Sequence, residues 1–574
     1  MKKKFLKHGV ILTIVFIFLL MGFTGTVHCQ SSINDLDKFD IQHLISTYVR
    51  RSYIDTIDIN TLLDGAIQGM IEKLDPHSSY MPPLTATDFD ERIRGNFQGI
   101  GITFSVINDK ITVIDVIENG PSERAGLKSR DKIIIIDGEY AVNISSDEVK
   151  ERLRGPAGSK VWIEVERAEA DKRLKFTITR AEVELNSVSH SYMIDDITGY
   201  IAISRFTLNT KYDVGNALAK LKDKGMKRLL IDLRNNSGGS LDSAIGVVDH
   251  FIKKGTIVTT KGRRDTDNIK RVASGYGNYV FIPMIVLINH ASASASEIVA
   301  GGLQDHDRAL IVGQTSFGKG IVMHPFNLKN RDKDLGTLVL SVAHYYTPSG
   351  RLIQRPYNGS REDYIKEGFD DYDPNALDAE KEDRPVYLTD LGREVYGGGG
   401  ITPDKILTSL GKLNSFELAL RGLNPFFEFT DEYLIRNNDI SKDFNEFLLD
   451  YHIPEHEITF FREFVIGKGV KIDNTSLFRE DLKKLFNKYD IPEERINTLE
   501  KSLVDVEVDL DETLFEKSID YIEREIKMEI ARMIWGPEER YRVWHTDDAE
   551  LLSALSYFEE AEDLLKKRLT IGKL

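Results

Sequence analysis

Three short apolar runs constrain the middle of this chain more than any other feature. Leu229-Leu230-Ile231-Asp232-Leu233, Met284-Ile285-Val286-Leu287-Ile288 and Ala309-Leu310-Ile311-Val312-Gly313 read as buried strands. Near-continuous apolar strands of this kind belong to sheets covered on both faces, which are at least partly parallel. Helical patterns alternate with them, from about Tyr212 to Lys224, from Gly238-Gly239 to about Phe251, and from about Ser294 to Leu303. A further strand, Tyr200-Ile201-Ala202-Ile203, precedes the first helix. Residues 183–408 therefore predict an α/β layer fold with a partly parallel sheet.

The rest of the 574 residues differs in character, and the whole reads as a multidomain α+β protein. Residues 30–94 form an N-terminal region that reads as helical, with Leu36, Phe39, Ile41, Leu44, Ile45 and Tyr48 at helix-like spacing. Its second helix is expected to stop near Asp75-Pro76, and Pro82-Pro83 to mark a linker. Residues 95–182 are β-rich, with β-branched runs separated by Asn119-Gly120-Pro121 and Asp137-Gly138, and one helix from Ser145 to Leu153. Residues 409–574 read as helices, including Glu550 to Leu569, forming a solvated acidic appendage.

Residues 1–29 follow the pattern of a secretory signal. Lys2, Lys3, Lys4 and Lys7 precede an apolar stretch from Val10 to Phe23, shorter than the ~20 residues that span a bilayer comfortably. Cleavage after Cys29 would leave Gln30 as the mature start. An uncleaved membrane anchor is the main alternative, and a lipoprotein anchor on Cys29 is disfavoured by the bulky His28 where a small residue is expected. The expected setting is exported, either periplasmic or membrane-associated and extracytoplasmic. One cysteine excludes an intramolecular disulfide and a Cys/His zinc cluster, and no cofactor or metal is implied. A net charge of -16 argues against nucleic acid as a main partner.

Three strand-to-loop junctions concentrate reactive residues. Asp232 through Gly239 follows a buried strand, and its glycines expose backbone N–H groups that can stabilise an oxyanion. Asn289-His290-Ala291-Ser292-Ala293-Ser294-Ala295-Ser296-Glu297 carries three alternating serines, more than helix capping requires. Gly313 through Gly320 contains Lys319 between two glycines, and a lysine becomes a base when burial lowers its pKa. The last segment nearly spells a phosphate-binding Walker loop. Gly320 stands where that loop needs Ser or Thr, and Ile321-Val322-Met323 reads as a strand where it needs a helix.

Taken together, these segments resemble the C-terminal processing peptidases, or tail-specific proteases, of the S41 serine peptidase group. The resemblance runs over roughly residues 35–408. Its marks are Leu74-Asp75-Pro76-His77-Ser78-Ser79-Tyr80, Gly99-Ile100-Gly101-Ile102, Asp232 through Gly239, Ser292 through Glu297, Gly318-Lys319-Gly320 and Gly397 to Asp404. It implies a serine endopeptidase with Ser294 as nucleophile and Lys319 as general base, 25 residues apart (319 − 294). It also implies an oxyanion hole from the N–H of Ala295 and an N–H of Gly238 or Gly239. The family usually carries a glutamine four residues after the lysine. Met323 stands there instead, with Gln314 and His324 as potential substitutes. A Ser-His-Asp arrangement using His290, His306 or His324 is the rival catalytic reading.

Residues 95–182 resemble a PDZ domain. The resemblance implies that Gly99, Ile100, Gly101 and Ile102 receive a peptide C-terminal carboxylate by strand addition and an amide nest. Arg130 replaces a glycine usual in this family's turn. Polypeptides with free C-termini are the implied partners, and self-association stays open. The second reading is a peptide-binding scaffold with a decayed peptidase site, motivated by Met323. The third is a nucleotide-binding protein.

Overall fold

The computed structural model describes residues 35–572 apart from 169, 332, 358–359, 370–383, 408–412, 438–439, 471–494 and 496–511. The expected signal segment lies outside the described residues. The chain divides into two units, at Leu74 and Asp75. In the first, helices Asp35–Ser52 and Ile59–Ile71 follow the apolar spacing, and the Asp58 carboxylate caps the second by accepting the Asn60 N–H. Phe39, Leu44, Ile45 and Tyr48 are exposed.

The second unit opens with two departures from the sequence expectation. Ser79–Met81 is a strand, paired antiparallel with Thr337–Val339. Pro83 starts a helix, Pro83–Arg94, instead of a linker. Proline suits the first helical position, where its missing N–H would have no partner anyway.

In the β-rich region, strands Ile102–Ile107, Lys110–Val116, Lys132–Ile136, Lys160–Glu166 and Leu174–Thr179 form one antiparallel sheet in that order. Helix Ser146–Leu153 is capped by Ser145 Oγ, which accepts the Glu148 N–H at 3.2 Å. Ile111, Val113, Ile133, Ile163 and Val165 are fully buried in its core. Arg130 adopts φ 74°, so the turn keeps a left-handed residue without glycine. That conformation costs a side-chain-bearing residue about 1–2 kcal/mol. The Arg130 guanidinium is ion-paired with Asp431 of the C-terminal helices, which also pairs with Lys132 at 3.2 Å.

The core's main sheet is built from β1 (Val188–Met193), β2 (Thr198–Ile203), helix α1 (Thr210–Asp223), β3 (Arg228–Asp232), α2 (Leu241–Asp249), β4 (Met284–Ile288), α3 (Ala295–Asp305), β5 (Leu310–Gly313) and β6 (Lys405–Ile406). The strands lie side by side in sequence order. Only β1 is antiparallel, and β2 to β6 run parallel. A second sheet contains the long hairpin Ile321–Asn330/Lys333–Tyr346, joined by Ser79–Met81 and Thr256–Gly262.

The two faces of β3, β4 and β5 explain the continuous apolar runs. Leu229, Ile231, Val286, Ile288 and Ile311 share one cluster with residues of α1, α2 and α3. Leu230, Ile285, Leu287, Leu310 and Val312 share another with Leu551, Ala554, Phe558 and Ala561. The C-terminal region is therefore not a solvated appendage. Its last helices, Ala549–Leu555 and Phe558–Thr570, cover the second face of the sheet, which would otherwise expose five large apolar side chains. Helices between Ser415 and Trp544 pack around a separate core of Phe416, Phe426, Phe429, Phe447 and Phe461.

Candidate active site

Parallel strands bring their following loops to one edge. Asp232 pairs with Leu287, and Ile288 with Gly313, so β3, β4 and β5 end level. The three junctions singled out in the sequence meet there, at the carboxyl ends of the strands where open α/β sheets form sites.

The alternating serines divide their work. Ser292 Oγ donates to the Leu233 carbonyl and Ser296 Oγ to the Asn236 carbonyl, both at 2.8 Å and both with fully buried side chains. The Ala293 N–H adds a bond to Asn236 O at 3.0 Å. The outer serines thus fasten the serine loop to the glycine loop. Ser294 stays partly exposed between them, at φ 55° and ψ −109°. A non-glycine residue in so sparsely populated a region stores about 1–3 kcal/mol of strain, which the surrounding bonds must hold. A sharp strand-to-helix turn with a strained serine is a known way of exposing a nucleophilic hydroxyl.

Two buried side chains tie Ser294 to Lys319. Glu297 is fully buried, and its carboxylate accepts four hydrogen bonds: Ser294 N–H at 2.7 Å, Lys319 N–H at 2.9 Å, Gly318 N–H at 2.7 Å and Ser316 Oγ–H at 2.6 Å. Burial pushes this carboxyl above its usual range, and the four donors act against that. From the other side, the Tyr345 hydroxyl donates to Ser294 O at 3.0 Å and Lys319 O at 2.8 Å. Burial pushes the Lys319 ammonium below its ordinary pKa, opposed by the negative charges of Glu297 and Asp75.

Gly238 has a steric role. At its φ of 103°, an added Cβ would lie 2.8 Å from Ser294 Cβ and 2.9 Å from Ala295 N. Its own N–H is donated to Asn236 Oδ1 at 2.9 Å, so of the two glycines Gly239 is the one left to offer a donor. Phe206 takes up the groups flanking Gly239, giving its N–H to Gly238 O and accepting from Ser240 N. Ala295 is the first residue of α3, where an N–H has no acceptor within the helix.

Met323 lies part-buried on the hairpin opposite Ser341. The two suggested substitutes have other neighbours. Gln314 Oε1 is bonded to His290 Nδ1 at 2.9 Å, and His324 is exposed against Phe326. His77 feels the Lys319 charge. Burial, followed by the Lys319 charge, pushes its imidazole down to about 4, so it is neutral at pH 7. Its loop is fixed by Asp75, which accepts from His77 N, Ser78 N, Ser78 Oγ and Ser341 Oγ at 2.7–3.0 Å. The histidine rival loses His306, whose two ring nitrogens are bonded to Asp390 and to the Thr256 carbonyl. After Gly320 the chain enters a strand, so no helix follows to hold phosphates.

Gly99, Ile100, Gly101 and Ile102 line a cleft of about 460 Å³ that the β-rich domain shares with helix Pro83–Arg94, Leu185 and Arg205. Phe97, Phe104 and Leu153 add apolar walls, and the charged lining is mixed, with Arg92, Lys150, Arg154 and Arg205 beside Asp88 and Glu91, both of which pair with Arg154.

Glu297 had a signal in the sequence, an acid three residues after a serine at a helix start. His77 belongs to the Leu74–Tyr80 motif, which by itself assigns it no role. Tyr345 had no local signal, since it lies 51 residues from Ser294 and acts through main-chain carbonyls.

An α/β core with an elbow-like serine and a part-buried lysine, joined to a β-domain with a cleft, is the arrangement of a serine-type peptidase bearing a PDZ domain. Residues 197–364 match the description of peptidase family S41 and residues 98–179 that of a PDZ domain. Residues 25–85 match the N-terminal domain of the activating protease CtpB. The carboxy-terminal-processing protease of Bartonella bacilliformis is 38% identical over 351 residues, covering 60% of this chain and 78% of that one. The carboxy-terminal processing protease CtpB of Bacillus subtilis is 36% identical over 310 residues, covering 54% and 64%. The solved PDZ domain of a Vibrio cholerae carboxy-terminal protease, in complex with peptide, is 30% identical, covering 16% of this chain and 99% of that one with a TM-score of 0.15. The chain belongs to the carboxy-terminal processing proteases of peptidase family S41.

Proposed function

We propose that Ser294 and Lys319 form the catalytic dyad of an endopeptidase that recognises polypeptide C-termini. The observation that supports this is the shared bracing of the two residues' main chains by Glu297 and Tyr345, which ties the loop of a strained serine to the loop of a lysine whose pKa burial lowers. Neutral Lys319 takes the Ser294 hydroxyl proton as Oγ attacks the scissile carbonyl carbon. The N–H groups of Ala295 and Gly239 receive the oxyanion, with Gly238 giving the room. Lys319 then passes the proton to the leaving amine. Water hydrolyses the acyl-enzyme by the same relay. Peptide C-termini enter the cleft beside Ile100, Gly101 and Ile102, where strand addition and an amide nest suit a terminal carboxylate.

The test is cleavage of an unfolded protein by the full chain. Ser294→Ala and Lys319→Ala each abolish it while the fold and peptide binding persist. Near-full activity in Lys319→Ala would overturn the dyad. Met323 motivates the scaffold reading, and a wild-type protein that binds C-terminal peptides and cleaves nothing would favour it.

The lysine-led apolar segment before Phe23 supports export to a periplasmic or membrane-associated setting. Mass spectrometry of the N-terminus of protein recovered from cells tests this, with Gln30 the expected start. The exposed apolar residues of helix Asp35–Ser52 support self-association, checked by light scattering of the full chain.

A further inference from the structure

The glycine loop that carries a proposed oxyanion donor is gripped by the C-terminal helical region. Arg234 follows β3 and precedes Gly239 by five residues (239 − 234). Its guanidinium is almost fully buried, with the side chain 6% exposed. On one side it meets Asp232, through Nε at 3.0–3.1 Å and Nη2 at 2.7 Å. On the other it meets Asp548, through Nη1 at 3.1 Å and Nη2 at 2.6 Å. Glu550 adds a contact to Nη1 at 2.9 Å. The Trp544 ring lies 5.3 Å from the guanidinium carbon. Every donor position of the fork faces a carboxylate, and two of the three carboxylates come from residues more than 300 positions away.

We propose that Asp548, supported by Glu550, is a positioning residue for catalysis. It holds Arg234 and thereby sets the path of the loop from Arg234 to Gly239. A planar guanidinium bonded on two edges fixes direction as well as distance. From Arg234 the constraint runs along a short, heavily bonded segment. Asn235 exchanges amide hydrogen bonds with Asn289 at 3.0 Å in both directions. Asn236 orders Gly238 and receives Ala293 and Ser296. The C-terminal region thus acts on the site through Arg234 without touching substrate. This rests on the dyad reading of Ser294.

The charge of Asp548 is separable from its structural use. Its side chain also caps helix Ala549–Leu555 by accepting the Leu551 N–H at 3.1 Å. Asp548→Asn keeps a good capping side chain and removes the charge and one side of the bidentate grip. Other titratable groups face this cluster, and His545 is pushed down to about 4 by burial, so it stays neutral in assays near pH 7.

The experiment uses the full chain, a peptide substrate and a peptidyl boronic acid, whose tetrahedral serine adduct places an oxygen among the oxyanion donors. Asp548→Asn is expected to lower kcat by about tenfold or more, short of the 10²–10³ seen for complete loss of one donor. KM and the affinity of a C-terminal peptide for the PDZ cleft stay at the wild-type value. The boronic acid Ki rises by the same factor as kcat/KM falls, which a purely structural role would not produce. Glu550→Gln, on the more exposed side of the fork and outside the helix cap, shows the same signature with a smaller loss, and decides the matter if Asp548→Asn does not fold. A folded variant with wild-type kcat, or a lowered kcat with unchanged Ki, overturns the proposal. Ser294→Ala runs in parallel. If it keeps activity, the dyad reading fails. If it is dead while Asp548→Asn and Glu550→Gln are fully active, only the positioning role falls.

Discussion

Replacing Gly238 by alanine should damage catalysis far more than it damages the fold. The added Cβ would stand 2.8 Å from Ser294 Cβ, 2.8 Å from Ala293 O and 2.9 Å from Ala295 N. Carbon atoms prefer about 3.5–4.0 Å, so the loop must retreat from the serine by about 1 Å. Alanine at φ 103° adds backbone strain of about 1–3 kcal/mol. A displacement of about 1 Å in a positioned reacting group costs about 10²-fold in rate. The expected result is therefore a folded protein, melting a few degrees lower, with kcat on an unfolded substrate reduced about 10²-fold. PDZ-cleft affinity for a C-terminal peptide should not change. Gly239→Ala provides the contrast. Its Cβ would lie 2.1 Å from the Phe206 carbonyl oxygen, a main-chain atom that cannot swing aside, so this variant should lose stability first. A folded Gly238→Ala protein with wild-type kcat would refute the placement of this glycine against the serine.

Tyr345→Phe removes one donor shared by two carbonyls, and should cost about 1–3 kcal/mol of stability while slowing cleavage, read by calorimetry and kcat together. The rate should rise with pH as Lys319 loses its proton, with the midpoint below the ordinary lysine value of 10.5 because burial favours the neutral amine. A pH profile of kcat/KM checks this, and a rate independent of pH through the neutral and alkaline range would contradict it. Asp75 behaves in the opposite sense. Burial raises its pKa, but hydrogen bonds from Ser78, His77 and Ser341 outweigh that and hold it below 3.8. Its contribution to stability is present above 3.8 and is lost as pH falls through the lower folded-state value. Asp75→Asn should flatten the acid side of a stability-versus-pH curve measured by urea unfolding.

The sequence disclosed those features that depend on local pattern. Apolar runs at Leu229, Met284 and Leu310 announced buried strands, and parallel pairing then required their loops to meet at one edge. The family resemblance assigns Gly239 and Lys319 to one site, and the parallel pairing gives the physical reason why loops so distant in sequence can share it. Features built by long-range contact were not legible. Ser79–Met81 is a three-residue strand in a polar segment, formed because Thr337–Val339 offers a free edge. The last helices look like a polar appendage in composition. Only the second apolar face of the sheet, with Leu230, Ile285 and Leu287, shows why Leu551 and Phe558 must lie there. Arg234 was visible in a motif, but its partner Asp548 is 314 residues away. By sequence the outer serines are equivalent to Ser294, and only the bonds of Ser292 and Ser296 to the neighbouring loop set them apart.

The account stands on Ser294 being a hydroxyl activated by Lys319. The most direct measurement is peptide-resolved mass spectrometry after brief treatment with a fluorophosphonate, for the wild-type chain and for Lys319→Met. A single adduct on Ser294 in the wild type, slowed at least a hundredfold in a folded Lys319→Met protein, is the predicted result, of the order expected for loss of a positioned general base. An adduct on another residue, or labelling of Ser294 at the same rate without the lysine amine, would contradict it.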